Sequence, residues 1–190
     1  MSAHGAAALP AAGGGDYTLS AESLQRIERE TAKYPPEQRQ SAVIAALAIA
    51  QEQFGWLPLP AQEAVAQILG MAPVAVYEVA TFYHMFHLRP LGRHKLSVCT
   101  NLPCALSGAN RAAQHLQQRL GVGLGQTTAD GAFTLTEGEC MGACGDAPVV
   151  LVDNKRLCSF MDTAKLDALV DSLAAEPGAG GARSGPDGGR

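Results

Sequence analysis

Four of the five cysteines fall into two tight pairs: Cys99 and Cys104 are spaced C-x4-C, Cys140 and Cys144 are spaced C-x3-C, and 35 residues separate the pairs. Thiolates at such spacings suit a soft metal or a redox group. A bridged pair of irons needs convergent sulfurs, close backbone approach and donors that offset the negative charge of four thiolates and two sulfides. The flanking residues fit those needs. Gly142 lies between the second pair and Gly145 follows it, which gives unusual backbone angles and leaves amide hydrogens free to point at sulfur. Pro103 precedes Cys104 and Pro148 follows Cys144, and proline restricts the main chain on either side of the site. Three other readings stay open at this level. Structural zinc also takes four cysteines, though its pairs commonly sit closer to C-x2-C. Thiol–disulfide exchange uses C-x-x-C, which neither pair has. Unliganded buried thiols would leave the Gly and Pro flanks without a reason. The cluster, most simply a [2Fe-2S] centre, is the leading reading.

Cys158 stands apart in a strand-like run, Arg156 to Met161, and reads as a small core residue. The five histidines are His4, His84, His87, His94 and His115. None lies inside either cysteine stretch, which argues against a mixed Cys and His site of Rieske type. His84 and His87 read as sharing one helix face, with a polar edge or subunit contact as their role.

The elements that must position these thiols change character near Arg89-Pro90-Leu91-Gly92. Before that break the spacing predicts helices. Ser20 caps one that carries Leu24, Ile27 and Thr31, and Pro35-Pro36 ends it. A second runs from about Glu37 through Val43, Ala46, Leu47 and Ala50 to Phe54-Gly55. A third opens at Pro60 with Val65, Ile68 and Leu69 on its apolar side and closes at Gly70; a fourth opens at Pro73 with Val76, Val79, Ala80 and Tyr83 facing inward. After the break, Lys95 to Cys99 reads as a strand and Ala105 to Leu120 as a helix closed by Gly121. Asp130-Gly131 supplies a turn into Ala132 to Thr136, Val149 to Val152 is a buried-strand candidate ending at Asp153-Asn154, and Asp162 caps a last helix with Leu166, Leu169, Val170 and Leu173 inward. Each cysteine pair is thereby expected in a loop, at neighbouring strand ends. The fold class is α+β: an N-terminal helical bundle over 17–90, an α/β domain over 91–175, and flexible Gly- and Ala-rich tails over 1–16 and 176–190.

Composition narrows the function. An apolar fraction of 47% supplies a core, and 14 Lys and Arg against 18 Asp and Glu give a net charge of −4, so no nucleic-acid footprint is expected. The longest apolar run, Ala42 to Ala50, is nine residues, far short of the roughly 20 that span a bilayer. The first 15 residues do not read as a secretory signal, so a cytosolic protein is expected, in a compartment where ordinary thiols stay reduced.

Asp130-Gly131-Ala132-Phe133-Thr134, followed by Cys140-Met141-Gly142-Ala143-Cys144-Gly145-Asp146-Ala147-Pro148, resembles the signature of the E-type small-subunit family of bacterial respiratory complex I. Glu78-Val79-Ala80-Thr81-Phe82-Tyr83 and Ser97-Val98-Cys99-Thr100-Asn101-Leu102-Pro103-Cys104 agree with it, and the resemblance spans roughly Ser20 to Leu173. It implies a four-helix N-terminal domain joined to a thioredoxin-like [2Fe-2S] ferredoxin domain, with Cys99, Cys104, Cys140 and Cys144 as the cluster ligands and no other catalytic residue. It implies a flavin-carrying partner that holds FMN and NADH, together with other peripheral-arm subunits, on the cytoplasmic face of the inner membrane. This chain shows no G-x-G-x-x-G at a strand-to-helix turn, in keeping with nucleotide sites on the partner. Related small subunits serve NAD-dependent formate dehydrogenases and bidirectional hydrogenases, so a soluble host is the alternative; a zinc-stabilised adaptor is the alternative of another class.

Overall fold

The computed structural model describes residues 17–176. Both expected tails, apart from Glu176, lie outside these residues. The described residues form two compact units, one up to Pro90 and one from Leu91, each with its own hydrophobic core.

The first unit is helical. The Ser20 hydroxyl accepts from the Ser23 N–H at 3.1 Å and starts α1, Ala21–Thr31. Two helices, α2 at Val43–Phe54 and α3 at Leu59–Leu69, end on left-handed Gly55 and Gly70, and α4 follows at Pro73–Phe82. Proline opens α3 and α4, where its missing N–H would have had no partner inside the helix. Ile27, Leu47, Val65 and Val76 are wholly buried, each side chain contributing about 1.5–3 kcal/mol of apolar transfer. Gln51 holds the chain that leaves α4: its amide donates to the Met85 carbonyl at 2.8 Å and its oxygen accepts from the His87 N–H at 2.7 Å.

Several expectations for this unit are corrected. Leu24 is 43% exposed, because only Ser23, Ile27 and Thr31 of α1 point inward. The second helix does not run unbroken from Glu37: Pro36–Ala42 is 3-10, interrupted at Gln38, before α2 begins. Tyr83 lies past the end of α4 and is exposed, and His84 and His87 follow it, so they share no helix face.

The second unit carries the cysteines. Its elements are β1 at His94–Cys99, α5 at Leu102–Leu106, α6 at Ala109–Leu120, β2 at Gln126–Thr127, β3 at Phe133–Gly138, β4 at Val150–Val152, β5 at Arg156–Cys158 and α7 at Thr163–Ala175. The sheet order is β2-β3-β1-β4-β5, with β1 and β3 parallel and every other pair antiparallel. Leu96, Val98, Leu135 and Val150 pack in one core with Ala112 and Leu116 of α6 and Leu166, Leu169 and Leu173 of α7. His115 to Asp167 at 2.8 Å and Arg119 to Asp171 at 2.7 Å tie the two helices together. The helix expected over Ala105 to Leu120 is in fact two, broken where Gly108 takes φ 98°, a region other residues rarely enter. The architecture is a mixed α+β fold. Among the described residues no single helix is long and apolar enough to cross a membrane.

Candidate metal centre

Parallel pairing of β1 and β3 brings the carboxyl ends of both strands to one edge of the sheet, the side on which open α/β sheets place their ligands. Cys99 is the last residue of β1, paired with Gly138 at the end of β3. Its N–H donates to the Val149 carbonyl at 3.2 Å. Cys104 follows within the short α5. Cys140 comes two residues after β3, and Cys144 opens a 3-10 turn, Cys144–Asp146. The expectation that every cysteine sits in a loop is therefore corrected: strand and helix backbone hold Cys99 and Cys104, and these two are buried, whereas Cys140 and Cys144 are exposed.

All four thiols are free, and Cys99 acts on Cys104 as Cys140 acts on Cys144. Burial pushes the Cys104 thiol up, and the hydrogen bond and charge of Cys99 push it the same way. The charge of Cys140 raises Cys144, aided by desolvation and by a hydrogen bond to Cys140. Cys99 acts on Cys144 as well, and Cys144 on Cys104, so the four share one field. Thiols in this arrangement cannot all ionise alone; a cationic centre would hold them as thiolates. Among the described residues no three His, Cys, Asp or Glu side chains meet at a single ion position. The four cysteines match in number and type the all-thiolate ligand set that would hold a [2Fe-2S] cluster.

Gly142 gives the second loop its left-handed turn, and Gly138 ends β3 close beneath the flexible Met141 side chain. A Cβ at Gly138 would come within 2.6 Å of the Met141 methyl carbon and 3.4 Å of the Val98 carbonyl, and Gly142 has φ 71°. Asp146 anchors the far end of that loop. It accepts from the Ser159 hydroxyl at 2.9 Å, and its carbonyl accepts from the Phe160 N–H at 2.7 Å. The Thr100 hydroxyl donates to Glu137, and the Asn101 amide approaches Glu139 at 3.4 Å. Thr100, Asn101 and Ser159 do not stand out in the sequence. Short polar residues directly after Cys99 and acids just before Cys140 were a usable signal for the first two; none marks Ser159.

Residues 27–174 match the model of the thioredoxin-like [2Fe-2S] ferredoxin family. This chain belongs to that family. It matches curated proteins over most of its length. The NADH-quinone oxidoreductase E-subunit 2 of Rhizobium meliloti (strain 1021) is 48% identical over 151 residues, 80% of this chain and 88% of the relative. The NADH-quinone oxidoreductase E-subunit of Rickettsia conorii (strain ATCC VR-613 / Malish 7) is 42% identical over 159 residues, 83% of this chain and 95% of that one. Among solved structures, an NAD+-reducing [NiFe]-hydrogenase in its H2-reduced state aligns with a TM-score of 0.63 and 26% identity, covering 71% of this ferredoxin but 22% of the hydrogenase chain. The family's group is a [2Fe-2S] cluster, and the four thiols present fit it. Cys158, half-buried in β5 and packed against the core of its unit, stands outside the set.

Proposed function

We propose that this chain is the [2Fe-2S] electron-transfer subunit of an NADH-quinone oxidoreductase, with Cys99, Cys104, Cys140 and Cys144 as ligands and a flavin-carrying, NADH-binding subunit as its partner. The observation that carries the reading is the placement of two cysteine pairs at the carboxyl ends of parallel β1 and β3. The two bacterial relatives, both named as parts of NADH-quinone oxidoreductases, support a respiratory host. The hydrogenase likeness supports the broader class of NAD-linked complexes. The division at residue 90 is part of the same proposal: a helical domain over 17–90 and a ligand-bearing domain over 91–175.

When bound, the cluster supplies outer-sphere transfer of one electron at a time. The chain's own residues set the distance and the electrostatic field. Buried Cys99 and Cys104 keep water from one end of the site, and the exposed Cys140 and Cys144 leave the other end open to an electron donor. Glu137 and Glu139 are exposed carboxylates beside the second pair, and negative charge there disfavours the reduced form. Glu139→Gln is expected to raise the midpoint by about 20–60 mV in a redox titration at low salt; an unchanged or lowered value would remove the carboxylate from this role.

The function is tested with protein reconstituted anaerobically with iron and sulfide. It is expected to turn red-brown, to give a rhombic paramagnetic signal after one-electron reduction, and to be reduced by NADH only when the flavin-carrying partner is added. A colourless protein that retains zinc alone would overturn the reading.

A further inference from the structure

The backbone ladder between β1 and β3 ends at Cys99 and Gly138. Beyond that rung the chains diverge, one into α5 and the other toward Cys140, and nothing in the ladder itself fixes how far apart the two ligand segments stand. Two side-chain bonds occur at this point. Thr100, directly after Cys99, donates its hydroxyl to Glu137, and Asn101 directs its amide to Glu139, directly before Cys140, at 3.4 Å. Asn101 is informative for a second reason. It occupies the N-cap of α5, where an asparagine ordinarily accepts from the first-turn amides. Its side chain makes no such cap bond, and its amide is turned across to the other segment instead.

We propose that Thr100 and Asn101 are positioning residues which, with Glu137 and Glu139, form a side-chain latch that straddles the last backbone rung of the β1–β3 pairing, with Glu137 one rung inside it and Glu139 one residue beyond, and holds the two cysteine segments at a fixed separation. The inference rests on the proposed ligand set and deepens it. Release of the bound group requires the two segments to part, because each carries two of the four thiols. Breaking the latch makes that parting easier. The bond to Glu137 is charge-assisted and lies between a half-buried donor and an exposed acceptor, so its loss corresponds to about a 3- to 10-fold change in opening.

The test is the rate at which a chelator bleaches the reconstituted full-length chain. Thr100→Val, which keeps the shape and removes the donor, is expected to bleach about 3- to 10-fold faster. Thr100→Ser restores the hydroxyl and is expected to return to the native rate. Glu137→Gln keeps an acceptor oxygen without the charge and is expected to fall between native and Thr100→Val, whereas Glu137→Leu matches Thr100→Val. The double variant Thr100→Val/Glu137→Leu separates a latch from general loosening: a latch predicts a rate no faster than either single change, and independent structural damage predicts multiplied effects. Native rates in Thr100→Val, or multiplied effects in the double variant, would overturn the latch alone. Failure of the unsubstituted chain to take up iron and sulfide would instead overturn the ligand assignment.

Discussion

Alanine at Cys99, Cys104, Cys140 or Cys144 is expected to lower iron and acid-labile sulfide after reconstitution at least about tenfold, while Cys158→Ala keeps the full complement. The ground is that each proposed ligand would supply one of only two protein thiolates per iron, so removing any one leaves a coordination position that water or buffer fills and from which the cluster decays. The two pairs then diverge in what else is lost. Cys99 and Cys104 are 2% and 1% exposed and pack with Ala109 and Val149, so alanine there also removes buried sulfur contacts and costs about 1 kcal/mol or more of stability. Cys140 and Cys144 are exposed, and alanine there is expected to leave the unfolding midpoint of the metal-free protein in place. Iron and sulfide assays, run beside thermal unfolding of the metal-free chains, read both effects. A full cluster in any of the four alanine variants, or its loss in Cys158→Ala, would refute the ligand set.

What was legible in the sequence was local chemistry. Ser20 and Asp162 announce helix starts because a short oxygen side chain there bonds a first-turn amide, and the structure has both bonds, to Ser23 and to Lys165. The paired cysteines, with glycine and proline around them, announced a site. What was not legible depended on partners distant in the chain. Leu24 has the spacing of a core residue, yet which face of α1 is covered is decided by α2, and the covered face carries Ser23, Ile27 and Thr31. Ser107-Gly108 interrupts what reads as one amphipathic helix, because α5 must turn Cys104 toward Cys99 before α6 can lie on the sheet. Thr100 and Asn101 lie in the block around the first cysteine pair, but nothing in their own types names their acceptors. Only the parallel register, which places Glu137 opposite Val98, brings their acceptors within reach.

The sheet that supports the site also contains a buried cation, and removing it is expected to stabilise the protein. Lys95 follows His94 in β1, pairs in register with Thr134, and is 6% exposed. Its backbone is well bonded: the N–H donates to Asp153 at 2.7 Å, and the carbonyl accepts from the Asp153 N–H at 2.9 Å. The ammonium is not so well placed. Burial lowers its pKa from 10.5 to about 8, with the charge of Asp153 pulling the other way. A base whose pKa is depressed on folding binds more protons in the unfolded chain than in the native one between those two values. Stability therefore rises with pH across that window and is lowest below about 8. The full shift, which already includes the pull of Asp153, would correspond to about 3 kcal/mol, and screening and relaxation around the charge reduce this to about 1–2 kcal/mol. Lys95→Met fills the same space without a charge. Denaturant unfolding at pH 7 is expected to show the variant more stable by about 1–2 kcal/mol, and the gap is expected to close as pH is raised from 8 toward 10.5. A variant less stable at pH 7, or a gap that does not change with pH, would mean that Asp153 compensates the buried ammonium in full.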